Sequence, residues 1–281
     1  MREPRFRHLG LFCAAQALSA AILLALPWGA PAHAADLAAA PPPAPAPVVV
    51  AVPTADTPVF YGTLYLWASS LSGRTSTLPN LPPADIDLSF KDLLKNLNGA
   101  VMAAGEMRVG RWGFLTDVMF TQVTPTGTLP GPLRSDIALR ARSLTLSADV
   151  LYRLYESTTL NVDAGAGLRY WHLGNKLSID PAFLPASFSF TQSEDWADPV
   201  IAGRIQAQLG GPWSMTLVGD IGGFGVGSNS TWQAIGTLNY QWNDKLALRA
   251  GYRALSVDYE NGSFLYDVLM QGPIVGATYR F

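Results

Sequence analysis

The chain has 281 residues and a formal net charge of −2, with 49% hydrophobic and 14% charged residues. Soluble domains average about 25% charged residues, and a mildly acidic chain without a basic run excludes nucleic acid as the expected partner. Its apolar residues are numerous but dispersed: beyond the amino terminus no run reaches the ~18 residues that a membrane helix needs.

The amino terminus reads as an export signal. Arg2, Arg5 and Arg7 precede the apolar run LGLFCAAQALSAAILLALPWGA, and Ala32-His33-Ala34 follows as a small-x-small cleavage site. This order of parts is that of a secretory leader. It predicts a signal peptide over 1–34, cut between Ala34 and Ala35. Gln16, Pro27 and the A-x-A site disfavour the alternative of a retained anchor. The single cysteine, Cys13, lies within this leader, so the mature chain has no thiol for a disulfide or a thiolate site. Residues 35–58 are rich in Pro and Ala, a composition that favours an extended spacer. It predicts a periplasmic linker; a tether for another envelope component is the other reading.

Residues 59–281 alternate apolar and polar side chains in successive runs, which is the pattern of half-buried strands. Strands are expected at 59–72, 99–111, 113–124, 137–154, 159–172, 196–209, 213–224, 230–242, 246–259 and 264–281. In the fifth, Leu160, Val162, Ala164, Ala166, Leu168 and Tyr170 share one face, opposite Asn161, Asp163, Gly165, Gly167, Arg169 and Trp171. In the second, Val101, Ala103, Met107 and Val109 oppose Glu106 and Arg108. Periodicity alone fits a soluble sandwich equally well.

The connections separate the two. GRWG, YEST, GGP and NDK are tight, whereas the intervening links are longer, two of them very long. Short turns at one end and longer loops at the other are the layout of outer-membrane barrels. Trp112, Tyr152, Trp213, Tyr240, Trp242, Tyr279 and Phe281 fall near the short turns, and Tyr170, Trp171, Trp196 and Trp232 near the long loops. Two such aromatic levels are expected at the two faces of a bilayer. The predicted fold is all-β: a transmembrane antiparallel up-and-down barrel of ten strands, eight being the alternative, with short periplasmic turns and longer outer loops.

The last strand carries the most specific pattern. Val275, Ala277, Tyr279 and Phe281 share a face, with an aromatic third from last and Phe last. In this the chain resembles the small outer-membrane β-barrel proteins of Gram-negative bacteria, over the leader and residues 59–281. The resemblance implies that this strand is read by the barrel-assembly machinery, then pairs with the first strand to close the barrel. An unpaired edge in lipid would leave backbone groups unsatisfied. The implied surroundings are outer-membrane lipids, and the expected state is monomeric.

Lumen-facing candidates are Glu106, Arg108, Asp117, Asp149, Arg153, Asp163, Arg169, Arg204, Asp220, Arg249 and Arg253, with Gln206 beside them. Charges taken from water must pair to offset desolvation, and this mixture of signs suits pairing across the lumen. About eight strands give a lumen filled by side chains, and open channels need 16–18. Three functions compete: a structural or surface-interacting barrel with a filled lumen, a narrow channel for small polar solutes, and an outer-leaflet enzyme using His172. For the enzyme, Ser193, Glu194 and Asp195 stand at the facing loop end, yet no spacing motif supports it and no catalytic residue is assigned.

GDIGGFGVGSN lacks the Gly-Lys-Ser/Thr of a phosphate loop, so its glycines are expected to serve a tight outer turn. In SFKDLLKNL, Phe90, Leu93, Leu94 and Leu97 have helical spacing and Ser89 can cap. This predicts a short amphipathic helix in the first outer loop, over the mouth or on the membrane interface. No cofactor and no metal site is expected.

Overall fold

The computed structural model describes residues 57–77, 82–129, 135–181 and 187–281. The expected leader, its cleavage site at Ala34–Ala35 and all but the end of the Pro/Ala-rich segment lie outside these residues. In chain order the elements are β1 (Val59–Trp67), β2 (Ser70–Ser76), β3 (Ala84–Leu88), α1 (Phe90–Lys95), β4 (Leu97–Val109), β5 (Trp112–Val123) and β6 (Thr126–Leu129). There follow β7 (Ser135–Glu156), β8 (Leu160–Pro181), β9 (Phe188–Gly210), β10 (Trp213–Gly222), β11 (Ser230–Gln241), β12 (Leu246–Asn261) and β13 (Phe264–Arg280).

Ten of these strands form the wall, in the order β1-β4-β5-β7-β8-β9-β10-β11-β12-β13, and β13 returns to β1. All the wall pairings are antiparallel. Closure runs from Tyr61 opposite Arg280 to Trp67 opposite Ile274. Ten strands, not eight, is therefore the count. Ring closure gives the first and last strands the partners that strands crossing a bilayer need, although the ladder between β1 and β4 covers only Val59–Leu64 opposite Arg108–Ala103.

Three of the strands outgrow their expected lengths. β7 and β8 each run 22 residues and β9 runs 23, well beyond the ~9–11 that cross a bilayer. The surplus projects on the side of the long connections. There, β6 pairs with the start of β7.

The first strand is a correction. The expected 59–72 breaks at Ala68–Ser69, and the chain continues as β2 along the outer half of β13, from Leu265 opposite Ser76 to Gln271 opposite Ser70. β2 then pairs with β3 rather than with a wall strand. The expected helix forms as α1. Ser89 caps it: Ser89 Oγ accepts from the Asp92 amide at 3.3 Å, and the Asp92 carboxylate accepts from Ser89 Oγ at 2.5 Å and from the Ser89 amide at 3.3 Å. Leu97, counted with the helix in the sequence, instead begins β4.

The wall is inverted relative to a soluble protein. Leu64, Leu66, Val101, Leu154, Leu168, Ile201 and Ile221 are all exposed on the outside, while Arg153, Asp163, Arg169, Arg204 and Arg253 are buried within. An apolar exterior of this extent is a lipid-facing surface. Near the short turns it is ringed by aromatics: Trp112 against Tyr152, Trp213 against Tyr240, and Tyr279 against Phe281, with centroids 4.9–5.1 Å apart. Trp171 and Trp196 do not belong to the outer ring, contrary to expectation. Both point inward and are buried, because odd positions of β8 and even positions of β9 face the lumen.

Candidate functional site

The lumen is built in three layers. Nearest the short turns, Asp163 of β8 sits amid three arginines, two from the adjacent β7 and β9 and one from β4. It accepts from Arg153 Nε at 2.8 Å, Arg108 Nη2 at 3.0 Å and Arg204 Nη2 at 2.7 Å. Arg204 also forks onto Glu106, at 2.7 and 2.9 Å. Bidentate geometry of this kind is the strong form of the arginine–carboxylate contact. Arg153 reaches Glu156 and Gln206 at 3.4 and 3.5 Å, tying the layer to the rim.

The middle layer crosses the barrel. Tyr65 donates to Asp117 at 2.7 Å, and Arg253 donates to the Tyr65 hydroxyl, to Asp117 and to Gln233 at 2.9, 3.0 and 2.5 Å. Gln233 passes the chain to Asp220 at 3.1 Å, which accepts from Arg169 at 2.7 Å. Arg169 ends on Ser147 and Thr231, each at 3.2 Å. The line thus runs β1, β5, β12, β11, β10, β8, β7. Arg253 also lies under the Trp67 ring, 5.0 Å from its centroid, and Trp67 Nε1 donates to the Gly272 carbonyl.

Above it lies an aromatic plug. Trp196 stacks on Tyr259 at 3.8 Å and on Trp171 at 5.6 Å, both nearly parallel, and Leu255, Val257, Phe264 and Val268 fill around them. Asp198, wholly buried, accepts from Trp196 Nε1 at 3.2 Å and from the Ser228 amide at 2.6 Å. The link between β10 and β11 folds onto β9 to make that contact. It can do so because Gly227 has no Cβ: one would stand 2.5 Å from the Ala197 carbonyl and 2.7 Å from Asp198 Oδ1.

Two of the expected lumen residues stay apart from both networks. Asp149 Oδ1 and Arg249 Nε are buried without a protein partner among the described residues. They line a cavity of about 160 Å³ between the lower and middle layers. Gly167 makes room for the carboxyl, since a Cβ there would meet Asp149 Oδ1 at 2.1 Å. Arg249 also borders a second cavity at the short-turn mouth, with Asp244, Lys245 and Arg280. The other expected residues, Glu106, Arg108, Asp117, Arg153, Asp163, Arg169, Arg204, Asp220 and Arg253, all take part in the two networks.

Gln233 falls on the polar face of the eighth expected strand, whereas Tyr65, Ser147 and Asp198 are not among the expected lumen residues. Their parity with Thr63, Asp149 and Val200 was the available signal.

His172 meets Asp195, with Nδ1 2.7 Å from Oδ1, and Tyr170 donates to the same oxygen at 2.5 Å. The trio sits on the outside of the barrel, with the His172 and Asp195 side chains 37% and 51% exposed. Glu194 leaves the group: it faces inward and accepts from Asn261 at 3.2 Å and from Tyr259 at 3.4 Å. Among the described residues no three-residue His/Asp/Glu group could hold a metal.

A closed, ten-stranded barrel with an apolar outer wall and a charged lumen is an outer-membrane β-barrel in fold. No family model matches the sequence, and no curated protein matches it. Among solved structures it is similar to the outer membrane protease OmpT of Escherichia coli, with 8% identity, 79% of this chain and 97% of that chain covered, and a TM-score of 0.52. It also aligns with the translocator domain of the autotransporter NalP from Neisseria meningitidis, at 11% identity, 80% and 88% coverage and a TM-score of 0.42. A third is Ail of Yersinia pestis, at 15% identity, 80% and 99% coverage and a TM-score of 0.32. At such identities the likeness is one of fold.

Proposed function

We propose that the protein is an outer-membrane barrel whose lumen is closed to solutes, so that it serves the envelope as a structural or surface-interacting component. In this reading the leader exports it, the barrel-assembly machinery engages Val275, Ala277, Tyr279 and Phe281, and the barrel stands as a monomer among outer-membrane lipids. The observation that carries it is the hydrogen-bonded line from Tyr65 to Ser147 across the lumen. A solute would have to break charge-assisted bonds between desolvated partners, and breaking such a pair costs about 3–5 kcal/mol.

The second reading, a narrow polar channel, is favoured by the two cavities that meet at Arg249. Liposome swelling separates the two. Refolded protein in vesicles challenged with a small sugar should leave the vesicles intact; swelling above the rate of protein-free vesicles would favour the channel.

A further inference from the structure

β1 and β4 are neighbours for only half their length. Their ladder runs from Val59 opposite Arg108 to Leu64 opposite Ala103 and stops. Beyond it, Tyr65, Leu66 and Trp67 pair with β13 alone, and the first residues of β4, Leu97 to Met102, pair with β5 alone. β2 cannot close the gap, because its free edge is taken by β3. Among the described residues the closed ring therefore has an unpaired seam on the side of the long connections, at the level where Leu66 and Val275 face outward, both exposed.

Bare strand edges are tolerated at membrane depth only where they are covered by protein or line a cavity. Here they line one. A cavity of about 440 Å³ lies at the gap, within the range of small-molecule sites. Its inner wall is made by lumen-facing residues, including Trp67, Ala100, Met102, Met119 and Met270, and its outer lip by Leu66 and Val275. Phe90, Leu93 and Leu94 of α1 form its cover. No Asp, Glu, Lys or Arg lines it; the polar groups are hydroxyls such as Ser69, Ser143 and Thr145.

We propose that this seam is a lateral entry, from the outer leaflet, to a binding site for a hydrocarbon chain. The geometry selects the ligand class. Trp67, which lines the cavity, stands against Arg253 on the side of the polar layers, whereas the lip residues Leu66 and Val275 belong to the lipid-facing wall. An apolar lining without fixed charge gives a carboxylate or phosphate no partner, so the alkyl part of an amphiphile enters and its polar end stays at the rim beside α1. Three methionines suit such a guest, since their unbranched thioethers adapt to a flexible chain. The site is independent of whether the lumen conducts. The chain can belong to a membrane phospholipid or to a free fatty acid.

The test is photo-crosslinking of the full chain in bilayer nanodiscs. Two probes are used in separate arms: a fatty acid with a diazirine in its chain, and a phosphatidylethanolamine with the same group in one acyl chain. Labelled peptides are mapped by mass spectrometry. The expected result is labelling concentrated at residues 66–71 and 97–102, above that at the lipid-facing Leu154, Leu168 and Ile201. Labelling by the phospholipid alone assigns the chain to the membrane lipid, and labelling by the fatty acid alone assigns it to a free amphiphile; either supports the site. Met102→Trp, which fills the cavity, should reduce the seam labelling to the level of the wall, as should Ala100→Phe, one turn of the pleat further along the same face. Uniform labelling of the wall in both arms of the unsubstituted protein overturns the proposal, whatever the variants do.

Discussion

Asp149 and Asp163 lie on β7 and β8, both facing the lumen, and their surroundings differ completely. Asp163 is held by Arg108, Arg153 and Arg204, while Asp149 has no ion pair among the described residues and keeps one oxygen buried without a partner. Removing one member of a buried network leaves the remaining charges uncompensated. Asp163→Asn should therefore destabilise the barrel by about 3–5 kcal/mol, whereas Asp149→Asn should leave stability unchanged or raise it, because it removes an unpaired buried charge. Urea unfolding of the refolded chain, followed by heat-modifiable gel mobility, compares them; equal losses would contradict the network as described. Strand parity made the lumen-facing charges legible in the sequence. It did not reveal which partner each finds, since Asp163 and Arg204 are brought together by register, not by spacing. The same limit misplaced Trp171 and Trp196. Their closeness to the strand ends suggested the bilayer surface, yet parity turns both inward, where Trp196 stacks on Trp171 and on Tyr259.

At the scale of elements, α1 is the part most directly controlled by its local sequence. The hydrogen bond from Ser89 Oγ holds the Asp92 carboxyl below the ordinary carboxylate range. A depressed folded value means that the cap contributes above the ordinary carboxylate pKa and is lost as pH falls through the lower folded value. The protection factors of the α1 amides should accordingly fall at acid pH, and Ser89→Ala should lower them at neutral pH while returning the Asp92 titration toward normal. Side-chain NMR of the protein in micelles reads both; an unshifted Asp92 titration in the unsubstituted chain would contradict the capping box. The ten wall strands were legible because each alternates over its whole crossing. The β2–β3 hairpin was not. SLSGRTS carries little apolar alternation, and β2 forms because the outer half of β13, nearly 200 residues away in sequence, offers it an edge. The gap between β1 and β4 follows from that diversion, which is why local pattern could not foresee it.

For the whole molecule, closure and filling are separate achievements. The ring of antiparallel pairs ending in β13 against β1 closes the wall, and the two polar layers with the aromatic plug fill it. That the last strand finds the first could be expected from the sequence, since strand edges in lipid need a partner or cover. Filling depends on contacts such as Arg253 to Tyr65 and Asp117, between residues far apart along the chain, and only the register supplies these. The central claim is that these layers leave no aqueous path. Single-channel recording of the refolded chain in a planar bilayer tests it most directly, once gel mobility has confirmed a folded barrel. The account predicts a silent bilayer. Discrete, reproducible openings from the unsubstituted protein would contradict it.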